Sequence, residues 1–126
     1  MTAVREATVE DLPDVLNVVD GAALRVDVDS LRERIASGDV LVAREEERVL
    51  GTVVLDGDRI AAVAVRRGRR DQGIGTALVE AAAERRERLV AKFDARVRPF
   101  WESLGFDIEP ADESDRYRGV LVTGSG

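Results

Sequence analysis

The chain has 126 residues, of which 44% are hydrophobic and 35% are charged, and its formal net charge is −6 at pH 7; these values are typical of a single globular domain. It contains no cysteine and no histidine, which excludes disulfides, thiolate nucleophiles and the most common general base and metal ligand. An acidic chain is a poor match for nucleic acid, and no apolar run approaches the roughly 20 residues of a membrane span. We therefore expect the protein to bind neither nucleic acid nor a membrane. Without cysteine and histidine, we also expect no metal site.

The first third of the chain predicts a short strand followed by two helices. The strand covers residues 4–7, and a helix with apolar residues three and four positions apart follows over residues 9–19. Thr8 is placed to cap that helix, with Asp11 in place of the glutamate of the usual capping box. A second helix is expected to begin at residue 29 or 30 and to end at residue 37.

Three strands and a crossover follow. Residues 40–43, 49–55 and 59–65 are apolar runs separated by short turns, which predicts an antiparallel meander. The pattern then changes to a helix over residues 74–88 and a strand over residues 89–93. A strand, a helix and a strand in this order predict a right-handed crossover between parallel strands.

The last part of the chain predicts a short helix over residues 99–104 and two strands over residues 106–108 and 117–122. No internal repeat and no linker interrupts the pattern. We therefore expect one domain over residues 1–123 and a frayed tail over residues 124–126.

A glycine pair, Gly73 and Gly75, lies between the strand over residues 59–65 and the helix that follows it. Glycine lets a backbone approach a ligand closely, and a helix start presents free N–H groups and about half a positive charge. Together these properties make an anion site, usually for phosphate. A simpler interpretation, in which the glycines only permit a tight turn, stays open.

Two common phosphate-binding patterns do not fit this turn. A P-loop needs a lysine and a serine or threonine after the second glycine, and these are absent. A dinucleotide-binding fold would assign Asp94 to a ribose, but Leu78 stands where the third glycine belongs. Too few residues follow Asp94 for the remaining strands and helices of that fold.

The glycine turn and its surroundings resemble a known family. The run Val63-Ala64-Val65, followed by Arg70-Asp71-Gln72-Gly73-Ile74-Gly75, is similar to the acetyl-CoA-binding motif of the GNAT N-acetyltransferases. The segment Phe100-Trp101-Glu102-Ser103-Leu104-Gly105-Phe106 resembles a later motif of that family, and the predicted element order is similar as well. The resemblance implies the α/β (α+β) acyl-CoA N-acyltransferase fold, with a mixed, mostly antiparallel central sheet and flanking helices.

The resemblance also implies which residues bind acetyl-CoA, the expected co-substrate. Backbone groups near Val63 and Val65 would hold the pantetheine arm, N–H groups of the glycine turn would hold the pyrophosphate, and the thioester would lie where the sheet splays between Val65 and Phe93. The residues implied in CoA binding are Val63, Ala64, Val65, Arg70, Asp71, Gln72, Gly73, Ile74, Gly75, Thr76, Asp94 and Trp101. Two interpretations stay open for Arg66, Arg67 and Arg69: they bind the 3′-phosphate of CoA, or they are solvated surface charges.

The catalytic groups are less well defined than the binding groups. Trp101 stands where the family often has the tyrosine that protonates the leaving thiolate, and Asp94 stands where an asparagine is usual. An indole N–H donates a hydrogen bond but does not ionise in the useful range, so Trp101 is interpreted mainly as packing against CoA or the core. Tyr117, the only tyrosine, is a candidate catalytic residue, with strand packing as its alternative. No general base is identified.

Two functions therefore stay open. The first is an N-acetyltransferase that moves acetyl from acetyl-CoA to a primary amine of an unidentified acceptor. The alternative is a CoA-binding module with weak or no catalysis, acting as a sensor or partner domain. We expect a cytoplasmic location, and a homodimer stays open. Lys92 is the only lysine among 19 basic residues, and this use of arginine in an acidic chain suggests a high-salt cytoplasm, as in halophilic archaea.

Overall fold

The computed structural model describes residues 2–21, 27–69, 72–111 and 115–123. The strands are β1 Ala3–Glu6, β2 Val40–Glu45, β3 Arg48–Asp56, β4 Arg59–Val65, β5 Arg88–Asp94, β6 Asp107–Pro110 and β7 Arg116–Val122. The helices are α1 Leu12–Gly21, α2 Val28–Ala36, α3 Ile74–Ala83 and α4 Arg98–Ser103. None of these helices is both long and apolar enough to cross a membrane. The tail predicted to fray, residues 124–126, lies outside the described residues.

All seven strands form one mixed sheet in the order β1-β2-β3-β4-β5-β7-β6. Strands β2, β3 and β4 pair antiparallel in succession, as the predicted meander requires, and β1 pairs antiparallel with β2. Helix α3 then carries the chain to β5, which pairs parallel with β4, and β7 and β6 complete the sheet antiparallel. The predicted fold class, a mixed and mostly antiparallel sheet with flanking helices, is confirmed.

The helices cover both faces of the sheet, and β2 shows how. Val40 and Val42 pack in the core cluster formed with α1 and α2, whereas Leu41 and Ala43 pack in the cluster formed with α3. Side chains of successive strand residues point to opposite faces. Because both faces are covered, β2 is a continuous apolar run rather than an alternating one.

Helix α3 packs closely on β3 at Gly51. A Cβ at Gly51 would lie 2.9 Å from the carbonyl oxygen of Ala64 and 3.1 Å from side-chain atoms of Ile74 and Leu78. The missing side chain therefore gives the first turns of α3 room against the sheet. This contact positions the start of α3 beside the end of β4, where the candidate site lies.

Helix α3 is shorter than predicted. It ends at Ala83 rather than at Arg88, which begins β5. The residues in between carry tertiary contacts: Arg86 donates from Nε to the carbonyl oxygen of Gly57 at 2.9 Å and pairs with Asp39 at 2.7 Å. These contacts outweigh the helix-favouring composition of this stretch.

The first predicted helix is divided. Residues 9–11 form a 3₁₀ turn, and α1 begins at Leu12. The predicted pairing of Thr8 with Asp11 is confirmed, because the Asp11 carboxylate accepts the Thr8 N–H at 2.8 Å. The same carboxylate pairs with Arg5 at 2.9 Å, which ties the turn to β1.

Helix α2 begins at Val28, one or two residues earlier than predicted. Asp27 caps it, since its Oδ2 accepts the backbone N–H of Ser30 at 3.0 Å. The predicted strand ends differ from the observed ones by two residues or fewer, which is the usual uncertainty of such boundaries.

Candidate functional site

Strands β4 and β5 separate toward their C-terminal ends. In the described residues they pair at one register position, Arg59 opposite Val90, whereas β3 and β4 pair along the whole of β4. A cavity of about 330 Å³ lies between the diverging strands, and we call it the strand cavity. It is lined by residues 60–63 of β4, residues 91–93 of β5, and Val97, Phe100 and Trp101. The splay predicted between β4 and β5 is therefore present.

The backbone of β4 presents hydrogen-bonding groups to this opening. The Arg66 N–H donates to the carbonyl oxygen of Leu50 at 2.8 Å, and residues of an antiparallel pair alternate between hydrogen-bonded and non-hydrogen-bonded positions. The backbone N–H and C=O groups of Val63 and Val65 therefore point away from β3 and toward the opening. Those of Ala64 point toward β3, and its side chain is buried beside α1, so Ala64 is not brought to the cavity.

The start of α3 lines a second cavity of about 330 Å³, which we call the glycine-turn cavity. Gly73 is the N-cap residue, with a φ of 81°, in the left-handed region that favours glycine. Apart from the chain neighbours of Gly73, no described residue has an atom within 4 Å of the position that its Cβ would take. The first N–H groups of a helix have no acceptor within the helix, and Ile74, Gly75 and Thr76 all line this cavity.

The two cavities are neighbours, because Phe100 lines both. A Cβ at Gly75 would lie 3.4 Å from the Phe100 ring, so the second glycine allows this ring to lie against the start of α3. Val65 also lines the glycine-turn cavity. The end of β4, the start of α3 and the α4 segment thus border two neighbouring cavities.

The turn before α3 is tied to the end of β2. Arg69 Nη2 lies 2.6 Å from Glu45 Oε2, and Arg69 Nε donates to Gln72 Oε1 at 2.9 Å. The hydrogen bond from Arg69 holds the pKa of the Glu45 carboxyl below its ordinary value. Arg70 and Asp71, both predicted to bind CoA, lie outside the described residues.

Trp101 lies in an aromatic cluster at the end of the strand cavity. Its ring stacks on Phe93 with 5.4 Å between centroids and meets Phe100 and Phe106 edge-on, each at 5.0 Å. Only 6% of Trp101 is exposed, yet it lines the cavity. It is therefore a core residue that also forms part of the cavity wall.

Tyr117 and Asp94 lie beside the strand cavity but do not line it. Tyr117 is opposite Phe93 on β7, with the two rings 6.2 Å apart, and the Arg98 guanidinium lies 4.8 Å from the Tyr117 centroid. The Asp94 carboxylate accepts the Arg96 N–H at 2.9 Å and pairs with the Arg96 guanidinium at 3.2 Å. Hydrogen bonds from Arg96 keep the pKa of Asp94 below its ordinary value, so this group is a carboxylate at neutral pH.

A third cavity, of about 480 Å³, was not predicted from the sequence. We call it the α1 cavity because the end of α1 forms one wall. Its lining residues are Asn17, Val18, Asp20, Arg48, Val65, Arg66, Arg67 and Gly68. They come from three separate parts of the chain, so no local motif marks them.

Metal ligands do not cluster in the part of the chain that the structure describes. No group of three or more aspartate or glutamate side chains there is arranged to hold a metal ion. The arrangement of the cavities instead favours an extended organic ligand: N–H groups at the start of α3, which have no acceptor within the helix, for an anion, and the outward-facing backbone groups of Val63 on β4 for a polar chain.

Solved structures with this fold are numerous, and their sequences are distant. An acetyltransferase of the GNAT family from Bacillus cereus has a TM-score of 0.85 and 14% identity, with 99% of each chain covered. The ribosomal-protein-S18-alanine N-acetyltransferase from Escherichia coli has a TM-score of 0.74 and 17% identity, covering 100% of this chain and 97% of that one. No curated protein sequence matches the chain significantly.

A larger relative was solved with ligands. The N-acetylglutamate synthase from Neisseria gonorrhoeae, in complex with coenzyme A and N-acetyl-glutamate, has a TM-score of 0.82 and 17% identity; the match covers 99% of this chain and 36% of that one. The family model of the acetyltransferase (GNAT) domain matches residues 36–108, which is more than half of the chain and includes β4, α3 and β5. The chain belongs to the GNAT acetyltransferase family.

Proposed function

We propose that the protein is an N-acetyltransferase that transfers acetyl from acetyl-CoA to a primary amine. One observation carries this proposal: the glycine-turn cavity at the start of α3 and the strand cavity between β4 and β5 are neighbours that share Phe100 as a lining residue. CoA has the matching chemistry, with a pyrophosphate at one end of a long polar arm and a thioester at the other. Family membership supports the same reaction class.

The described residues fit this ligand in two ways. The N–H groups of Ile74, Gly75 and Thr76 would bind the pyrophosphate, helped by the helix dipole. The backbone groups of Val63 and Val65 would pair with the pantetheine arm as a strand partner would. We keep Trp101 as a residue that contacts the arm. Asp94 fits less well, because Arg96 already occupies its carboxylate.

The chemistry that this arrangement supports is direct transfer. The amine nitrogen attacks the thioester carbonyl carbon; the C–N bond forms, the C–S bond breaks, and the proton lost by the amine balances the thiolate that leaves. Holding both reactants in line supplies up to about 7–11 kcal/mol of such a barrier. A backbone N–H of β4 aimed at the opening would polarise the carbonyl. Tyr117 is kept as a candidate acid, although it does not line the strand cavity.

Calorimetry and a thiol-release assay test this function together. We expect acetyl-CoA to bind and thiol to be released with at least one amine from a panel of amino acids, polyamines, aminoglycosides and peptide N-termini. Absence of acetyl-CoA binding would contradict the proposal. Binding without thiol release from any amine would favour the alternative, a CoA-binding module without catalysis.

The solution conditions follow from the composition. An acidic, arginine-rich chain supports the further proposal of a high-salt cytoplasm, so the titration is run at low and at high salt. Elution volume in size-exclusion chromatography at both salt concentrations tests whether the protein forms a homodimer.

A further inference from the structure

Three arginines of the α1 cavity differ from most others in the protein. Eleven described arginines have a carboxylate oxygen within ion-pair distance. Arg48, Arg66 and Arg67 have no carboxylate partner among the described residues, although the chain as a whole has an excess of acidic residues. All three line the α1 cavity. Uncompensated cations that share a cavity in an acidic protein point to an anionic ligand.

Arg66 is held in place at this cavity. Its Nε donates to the carbonyl oxygen of Val49 at 2.7 Å, and its backbone N–H donates to Leu50 at 2.8 Å. The side chain is half-buried, and the bond through Nε leaves the terminal nitrogens of the guanidinium for another acceptor. A pre-ordered guanidinium loses less conformational freedom when it binds.

Helix α1 contributes different groups to the lining of the α1 cavity. Asn17 and Asp20, on the last two turns of α1, are exposed and line it, and Asp20 forms no ion pair with the described arginines. A cavity of about 480 Å³ is of the size that binds small molecules. A carboxylate and guanidiniums that line the same cavity without pairing match a ligand that carries both an amine and an acidic group.

The α1 cavity is adjacent to the proposed donor site. Val65 lines both the α1 cavity and the glycine-turn cavity. Helix α1 packs on one face of the sheet and α3 on the other, so the two cavities reach the end of β4 from opposite faces. A ligand in the α1 cavity would therefore lie across β4 from the glycine-turn cavity, and its amine would have to reach past the end of β4 to the strand cavity, with which the α1 cavity shares no lining residue.

We propose that the acetyl acceptor is a small amine that also carries a carboxylate or phosphate group, and that Arg48, Arg66 and Arg67 bind this acidic group. Guanidiniums bind both anions through paired N–H donors. The inference rests on the proposed acetyl transfer and names the substrate class for it. The competing source of the same anion chemistry is the 3′-phosphate of CoA.

Matched pairs of amines test the proposal. The pairs are phosphoethanolamine with ethanolamine, β-alanine with propylamine, and glutamate with glutamine; binding is measured by calorimetry and turnover by thiol release. We expect the more acidic member of each pair to bind more tightly, and kcat/KM to be about tenfold higher or more, which corresponds to one additional charged hydrogen bond. Equal binding and equal turnover within every pair would overturn the inference while leaving acetyl transfer intact.

A double variant locates the effect. Arg48→Gln combined with Arg67→Gln should raise the KM or Kd of the acidic amine about tenfold or more and leave the Kd of acetyl-CoA within about twofold. Arg32→Gln combined with Arg88→Gln removes the same charge from exposed positions outside the α1 cavity and should change neither constant.

A comparison of two acetyl donors tests the competing assignment, in which the arginines bind the 3′-phosphate of CoA. Acetyl-CoA and acetyl-3′-dephospho-CoA should lose equally little affinity in the Arg48→Gln, Arg67→Gln variant. If acetyl-CoA alone is weakened, the arginines bind the 3′-phosphate, and the assignment to the acceptor is wrong. Failure of acetyl-CoA to bind the unmodified protein would instead contradict the proposed function itself.

Discussion

Arg69 Nη2 lies 2.6 Å from Glu45 Oε2, and this ion pair connects the turn after β4 to the end of β2. The same guanidinium donates to Gln72, one residue before the N-cap of α3. The pair therefore positions the chain that leads into the glycine turn. The pair also occupies the Arg69 guanidinium. Arg69 is therefore a weaker candidate for binding the 3′-phosphate of CoA than it was from the sequence alone.

Removing the charge of Glu45 should loosen the turn. We expect Glu45→Gln to raise the Kd of acetyl-CoA severalfold, because the start of α3 loses its tie to β2, with little change in melting temperature since both partners are about one-third exposed. Glu109→Gln, which breaks the Arg118 pair between β6 and β7, is the matched control and should leave the Kd unchanged. An unchanged Kd in both variants would show that the pair does not position the turn.

Alanine variants of Gly73 and Gly57 distinguish the effect of backbone strain on stability from an effect on ligand binding. Both have positive φ, 81° and 62°, and at neither position would a Cβ lie within 4 Å of a described residue other than the chain neighbours. Alanine at either position should cost about 1–2 kcal/mol of unfolding free energy, since the left-handed region disfavours a Cβ. Only Gly73→Ala should also raise the Kd of acetyl-CoA, about tenfold or more, because its methyl group would face the glycine-turn cavity. Equal Kd values in the two variants would place the pyrophosphate elsewhere.

Trp101 allows a test of whether an acid is missing. Trp101→Tyr and Trp101→Phe each leave a smaller ring in the aromatic cluster, and both should lower the unfolding free energy by about 1–3 kcal/mol. Only tyrosine offers a phenol that can protonate a thiolate. We expect a kcat about 100-fold higher for Trp101→Tyr than for Trp101→Phe, which is the low end of general acid catalysis. Equal kcat values would mean that position 101 does not face the leaving group.

The ionisation of Asp11 should make the free energy of unfolding depend on pH. Burial raises the pKa of its carboxyl, but hydrogen bonds from Arg5 and Thr8 outweigh burial, and the pKa is lowered overall. A lowered folded-state pKa means that the group stabilises the fold above the unfolded pKa of about 3.9 and that this contribution is lost as the pH falls through the folded-state pKa.

Chemical denaturation between pH 7 and pH 2 checks this dependence. Asp11→Asn should lower the unfolding free energy at pH 7 by about 1–3 kcal/mol, and the difference from the unmodified protein should shrink below pH 4. Asp29→Asn is the control, because the Asp29 side chain is 87% exposed. A constant difference at every pH would show that the Asp11 charge does not matter.

Most of the fold was predictable because its signals are local. The meander of β2, β3 and β4 follows from apolar runs separated by short turns, and the crossover follows from the change of period after residue 65. The prediction that α3 extends to residue 88 was wrong. Just after the helix ends, Arg86 pairs with Asp39, which is far away in the chain. No sequence rule reveals such a contact.

The candidate site was predictable only in part, for the same reason. The glycine turn is contiguous, so Gly73 to Thr76 could be placed at a helix start from the sequence alone. Gly51 carried no signal, because its role depends on Ile74 and Leu78 crossing β3. The α1 cavity carried one weak signal, an arginine excess after β4, but Arg48 and Asp20 reach it only through the fold.

Backbone amide chemical shifts measured during a titration with acetyl-CoA test the central claim most directly. We predict that the largest changes occur at Val63, Val65 and Gly73–Thr76, with smaller changes at residues 91–93 across the strand cavity. Changes confined to the α1 cavity, or to the surface around Ser30 and Arg34 on α2, would contradict the assignment of the β4–α3 turn as the CoA site.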